Sequence, residues 1–477
     1  VTPWKAGAIV FGASGVVLML EVLAGRLMAP YVGVSQETFT GIIGTVLAGI
    51  ALGAAVGGTL ADRHDPRQLI GPTVVVGGAL TWASLPIVRI LGPSVGTGPG
   101  AIILLTAAAF LLPATVLSAV APMVAKLQIG SLDESGAVVG RVSAAGTFGA
   151  LAGTFLTGFV LVAALPSQWV VILIGGVTIA TGIVLAVRAR SNLHLSVTSV
   201  GLVAAAGLGA LLLPPPCDRE TTYFCVRVET DPERPSGRSL ILDTTRHAYV
   251  DLDDPTHLEI RYVRLIAAVL DELPAGRLDA VHLGGGGLTL PGYLSAVRPG
   301  TASTVLEIDP ALVDVARDDL GFDDLDAEVL IGDARLTMRD LPTDGVDVVI
   351  GDAFASTSVP WHLTTVEVID EIDRMLRPDG RYVMNVIDGG PNRYARAQLA
   401  TLAEQFEHVA VIVPDGGVPD DERVNQILIG SHRPIGRLQI DPTDGELLTG
   451  AAVHRFIDGA RPLTDDHAPV DQLLMRP

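Results

Sequence analysis

Seven stretches of this chain are apolar over the length that a lipid bilayer demands, and all of them fall before residue 214. They lie at about 6–28, 39–60, 69–91, 101–125, 142–165, 168–187 and 193–213. Each is near the roughly 20 residues that carry a helix across the hydrocarbon core. Gly, Ala, Ser and Thr recur in them, and small residues let helices pack closely where no hydrophobic effect drives them together. The first stretch is too long for a secretory signal, and more spans follow it in place of a cleavage site. Residues 1–213 are therefore expected to form a multi-pass helical domain in the lipid bilayer.

Charge divides the chain at the same place. Residues 1–213 carry nine Lys/Arg against six Asp/Glu, a net of +3. Residues 214–477 carry 23 against 46, a net of −23. One part is apolar and the other is acidic and water-compatible. Lys5, Arg63, Arg67, Lys126, Arg141, Arg188 and Arg190 fall in alternate loops, which places the N-terminus on the cytoplasmic side of a cell membrane. Seven spans then place the acidic part outside. Cys217 and Cys225, the two cysteines of the chain, stand just past the last span. On an oxidising side such a pair is expected to form a disulfide; the other reading is two separate thiols. Glu21 and Arg26 fall inside the first span, where charges mark a pathway or reach the interface from the span's end. The loop "GGTLADRHDPR" (57–67) resembles the short basic loop of major facilitator transporters.

Beyond the stiff "LLLPPP" exit, residues 214–255 alternate in short runs that fit a small antiparallel β module. A helix is expected from about 256 to 273. From there to residue 477 apolar strands ("LDAVHL", "ASTVLEI", "AEVLIG", "VDVVIG", "RYVMNVI", "HVAVIV", "NQILIG") alternate with helical stretches at 310–319, 363–376 and 392–406. That pattern gives an open, largely parallel, doubly wound sheet covered on both faces. Ligands on such sheets lie beyond the carboxyl ends of the strands. Four successive strand ends carry Gly284, Gly285, Gly286 and Gly287; then Glu307 and Asp309; then Asp333; then Asp352. The 20 residues from Gly287 to Glu307 are the usual distance from a glycine turn to a ribose-binding acid. Glu307 would accept from ribose hydroxyls, Asp333 from an adenine amino group, and the glycines would admit a sulfonium tail. A nicotinamide dinucleotide fits less well, because Leu288 and Thr289 stand where the last glycine of its fingerprint would fall. No nucleic-acid signature, clustered Cys/His metal site or tightly bound cofactor is expected.

Residues 221–430 resemble the spermidine synthase family, the polyamine aminopropyltransferases. The motifs are "YVDLDDPTHLEIRYV" (249–263), "HLGGGG", "LEIDP", "IGDA" and "VVIGDAF". The whole chain resembles the bacterial branch with a fused multi-span membrane domain. The resemblance implies a sheet of the S-adenosylmethionine-dependent transferase type, with decarboxylated S-adenosylmethionine (or S-adenosylmethionine) as co-substrate. It implies a small cationic amine such as putrescine as acceptor, and a homodimer. It assigns the ribose to Glu307, the adenine to Asp333, and to Asp352 the proton of the attacking amine. His257 falls where the family lines its polyamine channel with an aromatic residue, and Glu259 on the helix acid beside it. Two family acids that hold ammonium groups are replaced, by Gly287 in the glycine loop and by Ala355 three residues after the base. Two other readings stand beside this one: a methyltransferase-like enzyme on the same sheet, and a transporter or sensor whose soluble module binds an adenosyl or polyamine ligand without turnover. Adenosyl donors are made in the cytosol, which pulls against an outward placement of the acidic part. The segment "LTDDHAPVDQLL" near the C-terminus has acids and a histidine, His467, able to close the mouth of a site.

Overall fold

Short polar connections with strong helix-start signals cut the apolar region into helices. In the computed structural model, which describes residues 2–96, 98–131, 135–189, 197–353, 359–419 and 422–474, six helices are long and apolar enough to cross a membrane. They are α1 (Pro3–Val32), α2 (Gln36–Arg63), α3 (Pro66–Ser94), α4 (Pro99–Gln128), α5 (Ser135–Ala164) and α6 (Ser167–Arg188). α1 stops at Gly33, which takes φ +73°. Ser35 caps α2 by accepting from the Thr38 amide at 3.1 Å. Asp65 caps α3 ahead of Pro66 at its first position. Where these helices meet, glycines set the distance. A Cβ on Gly149 of α5 would lie 2.1 Å from the Phe11 carbonyl oxygen of α1, and one on Gly53 of α2 would lie 2.2 Å from that of Thr115 of α4. Large apolar side chains such as Phe148, Phe159 and Leu104 point outward, as lipid contact requires.

The expectation of seven spans is corrected to six among the described residues. The seventh stretch forms α7 (Val197–Leu212), which at 16 residues falls short of the usual crossing length. Residues 190–196, with Arg190 and the start of that stretch, lie outside the described residues. With six spans the parity argument no longer puts residues 214–477 opposite the N-terminus.

The chain divides into two compact units, Val1–Arg227 with Leu242–Thr244, and Val228–Ile241 with Thr245–Pro477. In unit one, β1 (Arg219–Glu220) pairs antiparallel with the start of β2 (Cys225–Thr230). Cys217 and Cys225 are joined by a disulfide. Arg26 turns from α1 toward this segment and pairs with Glu220 at 3.0 Å. It therefore reaches the polar end of its span.

Unit two holds β3 (Gly237–Leu242) up to Ile241, β4 (Thr245–Asp251) and an eight-stranded sheet. The sheet strands are β5 (Asp279–Leu283), β6 (Ala302–Glu307), β7 (Ala327–Ile331), β8 (Val346–Gly351), β9 (Leu376–Gly389), β10 (His408–Val413), β11 (Arg423–Ser431) and β12 (Glu446–Leu448). Their order is β12-β10-β11-β9-β8-β5-β6-β7. β7, β6, β5, β8 and β9 run parallel, as the alternation of strand and helix predicts. β11, β10 and β12 join antiparallel, so the sheet is mixed. Helix α8 (Arg261–Asp271), which leads into β5, and the crossover helices α9 (Thr289–Val297), α10 (Pro310–Asp319), α11 (Val366–Met375) and α12 (Arg393–Gln405) cover it. α8 starts five residues later than the expected 256. Asp251 accepts from the amides of Asp253 and Asp254, and Asp254 from that of Thr256, and these local bonds hold a turn where a helix would need free amides. β5 has β6 on one side and β8 on the other, so strand order reverses there, and a crevice opens at the carboxyl ends.

Candidate active site

Four neighbouring parallel strands deliver polar groups to one edge of the sheet. β5 ends in Gly284 and Gly286, at φ +93° and +48°. A Cβ on Gly284 would sit 2.8 Å from the Asp352 carbonyl oxygen, so only glycine lets this turn lie against the end of β8. β6 ends in Glu307, which is buried. Its Oε2 accepts from the Gly285 amide at 2.8 Å and its Oε1 from the Asp309 amide at 2.9 Å. Burial pushes the Glu307 carboxyl above its ordinary range, and those two amides pull it part of the way back. Asp309 is fully buried and caps α10 by accepting from the Ala311 amide at 3.1 Å; its Oδ2 has no partner among the described residues.

Past β7, Asp333 caps the short helix Ala334–Thr337, accepting from the Arg335 amide at 2.8 Å, and its Oδ2 lies 3.1 Å from His362 Nε2. Arg335 ties this corner to the C-terminal segment: its guanidinium donates to both oxygens of Asp465 at 2.8 and 2.5 Å and to the His362 carbonyl at 3.2 Å. Asp465 also accepts from the Thr365 hydroxyl at 2.8 Å. His467 is held in a turn with Thr464 by backbone bonds. The segment "LTDDHAPVDQLL" is thus, through Asp465, a strap on the corner that holds Asp333.

Past β8 comes Asp352. Its Oδ1 accepts from Asn385 Nδ2 at 2.8 Å and its Oδ2 from the Tyr262 hydroxyl at 3.0 Å. Asn385 Oδ1 accepts in turn from Asn425 Nδ2 at 3.0 Å. Burial raises the Asp352 carboxyl to about 6, against the lowering effect of the two hydrogen bonds. Nearby, burial pushes His247 down to about 4 and His282 to about 3, so both are neutral at pH 7.

Gly284 to Gly287, Tyr262, Asp352, Asn385 and Asn425 line one cleft of about 170 Å³. Glu307 stands behind Gly285, and Asp333 lies one strand further along the same edge; neither is part of that lining, and nor is Asp309. His257 and Glu259 are also outside it. They precede α8 rather than riding on it, with His257 Nε2 3.5 Å from Glu259 Oε2 and its ring edge-on to Tyr249. A Cβ at Gly287 would lie 2.6 Å from the Ala248 Cβ of β4, so the loop is packed where the family's acid would project. Ala355 falls in 354–358, outside the described residues. Tyr262, Asn385 and Asn425 were not anticipated. Their signal was a polar side chain inside an apolar run, as in "RYVMNVI" and "VNQIL".

A doubly wound sheet with a glycine turn and acids at successive strand ends defines the adenosyl-dependent transferase type of fold. No family model matches the chain. A curated polyamine aminopropyltransferase from Vibrio vulnificus (strain CMCP6) is 30% identical over 128 residues, 26% of this chain and 42% of that protein. The chain thus spans about two fifths of the length of this relative. A solved structure of a probable spermidine synthase from Corynebacterium glutamicum ATCC 13032 is 28% identical, with a TM-score of 0.49, over 54% of this chain and 98% of that one. The spermidine synthase of Thermotoga maritima is 20% identical, with a TM-score of 0.34, over 53% and 81%. The chain resembles the spermidine synthase family, with a domain of long apolar helices ahead of the resembling part.

Proposed function

We propose that the protein is a membrane-anchored aminopropyltransferase-like enzyme that moves an aminopropyl group from decarboxylated S-adenosylmethionine to a small amine. The observation that carries this reading is Asp352: a buried carboxyl raised to about 6, gripped by Tyr262 and Asn385, at the strand end beside the glycine turn. The amine's lone pair attacks the carbon next to the sulfonium, the C–S bond breaks, and methylthioadenosine leaves with the electron pair. The proton shed by the amine goes to Asp352 Oδ1 or Oδ2. A base with a pKa near the working pH suits that transfer. In this reading Glu307 meets the ribose hydroxyls, Asp333 the adenine amino group, and Gly284, Gly285 and Gly286 the tail, while Asp309 holds the turn that presents Glu307. His257 and Glu259 would meet the acceptor on its way in. The name of the Vibrio relative supports the chemistry.

One observation favours the second reading, an enzyme using intact S-adenosylmethionine. Among the described lining residues the sole formal charges at pH 7 are on Asp352 and Arg246. An arginine suits a donor that keeps its carboxylate. The test is incubation of the purified full chain with each donor and a panel of amines, with products resolved by mass spectrometry. Methylthioadenosine from the decarboxylated donor supports the proposal. Adenosylhomocysteine from the intact donor, with no methylthioadenosine, replaces it with the second reading.

A further inference from the structure

Unit one holds a cavity of about 510 Å³, three times the volume of the cleft in unit two and within the size range of small-molecule sites. Its walls are span ends and the disulfide-closed segment, with Tyr31, Phe39 and Trp169 among the lining side chains. Apolar and aromatic groups dominate, so an occupant must have an apolar body.

The charged groups choose the rest of the occupant. Two guanidiniums line the cavity, and both are committed to its wall. Arg26 donates to Glu220 Oε1 at 3.1 and 3.0 Å, to the Ser167 hydroxyl at 3.1 Å, and to the carbonyls of Thr221 and Thr222. Arg89 donates to Gln168 Oε1 at 2.7 Å and to the Leu213 carbonyl at 2.6 Å. An anionic ligand finds its natural partners taken. Glu220 is likewise committed to Arg26 and Ser167. Asp243 is different. It is 1% exposed, its backbone stands at φ 55°, and its Oδ1 accepts from the Cys225 amide at 3.0 Å. Its Oδ2 is buried with no partner among the described residues. A buried carboxylate oxygen without a donor is a costly arrangement that an ammonium relieves. Burial also pushes the Asp243 carboxyl above its ordinary range, and the Cys225 amide and the Arg26 charge pull it only part of the way back.

We propose that this cavity binds an amphipathic monoamine, with a single ammonium at Asp243 Oδ2 and an apolar chain or ring against Tyr31, Phe39 and Trp169. A dication such as putrescine finds no second buried carboxylate there, because the other lining acids are Glu220, which is paired with Arg26, and Asp218, which is exposed. The site is separate from the proposed chemistry of unit two and does not depend on it.

The experiment uses the full chain in phosphatidylcholine nanodiscs, with 4-phenylbutylamine, 4-phenylbutanol and putrescine as probes. Binding is read by calorimetry after subtraction of empty discs. The amine is expected to bind saturably at one site per chain, with the alcohol and putrescine weaker by about tenfold or more. Asp243→Asn is expected to lose about tenfold in affinity for the amine, and Asp352→Asn to bind it as the parent does. Val162→Trp fills the cavity without touching the acid and is expected to abolish the saturable signal, which keeps the test decisive if Asp243→Asn does not fold. Equal affinity for amine and alcohol, uptake that never saturates, or unchanged amine binding in a folded Asp243→Asn or Val162→Trp overturns the proposal.

Discussion

Replacing Asp352 by Asn tests the carboxyl on which the proposed chemistry rests, and the structure lets its effect on stability be worked out with a sign. The asparagine fits the same bonds. Its oxygen accepts from Asn385, and its amide donates to the Tyr262 oxygen, whose own hydrogen turns to the His247 carbonyl 3.2 Å away. The loss is therefore mainly that of a buried charge. Asp352 titrates at about 6 in the fold, against 3.8 as its ordinary value. Below about pH 4 both folded and unfolded chains hold the proton, and there is no penalty. Between about 4 and 6 the unfolded chain gives up its proton first, so the folded state loses stability as the pH rises. Above about 6 the penalty is constant, at about 3 kcal/mol for a shift of roughly two units. The variant carries none of it. Urea unfolding of unit two in the detergent-solubilised full chain, followed at Trp361, should show the variant gaining up to about 3 kcal/mol on the parent between pH 4 and pH 6.5. Taking the difference between the two proteins cancels every other titrating group. In the same preparations kcat/KM for methylthioadenosine formation should fall by about 10²- to 10⁴-fold. Stability curves that stay parallel from pH 4 to pH 8 refute the buried charge, and retained activity refutes the base.

Three further outcomes follow from neighbouring residues. Tyr262→Phe removes a hydrogen bond that lowers the Asp352 carboxyl, so the acidic limb of the pH–kcat/KM profile should move up by about one unit; an unmoved limb separates Tyr262 from the base. Gly287→Asp should not restore the family's acid, because the new Cβ meets Ala248; it should destabilise by about 1–3 kcal/mol, and Ala248→Gly in the same chain should recover most of that in a double-mutant cycle. Asp465→Asn frees Arg335 from its two-pronged grip, and should raise the KM for the adenosyl donor several-fold with little change in kcat, while an equal fall of kcat would show that the strap acts elsewhere.

Much of the architecture was legible because burial dictates pattern. β10 runs over His408–Val413, as read from "HVAVIV", and α10 over Pro310–Asp319, the helical stretch expected at 310–319. The late start of α8 was hidden because Asp251 and Asp254 spend their side chains on local amides, and hydrophobic period does not register that competition. The span count failed where composition alone decides: α7 is apolar enough, but its 16 described residues fall short of a crossing. At the candidate site, the acids at the strand ends could be found because each follows an apolar run. Asn385, Asn425 and Tyr262 come from three separate elements, and only folding brings Tyr262 and Asn385 onto Asp352, with Asn425 behind Asn385. The strap at Asp465 was equally hidden, since its partner Arg335 lies 130 residues earlier.

Glu307 accepts from the amides of Gly285 and Asp309, one on each oxygen, and in the proposed reading its remaining acceptor capacity meets the ribose hydroxyls. The turn that would greet the ligand is thus already held by hydrogen bonds of the protein's own. Association need not freeze it again, and the disorder surrendered at that moment is chiefly the guest's own. Affinity at this end should then respond more to trimming the visitor's flexible bonds than to any change that stiffens the host.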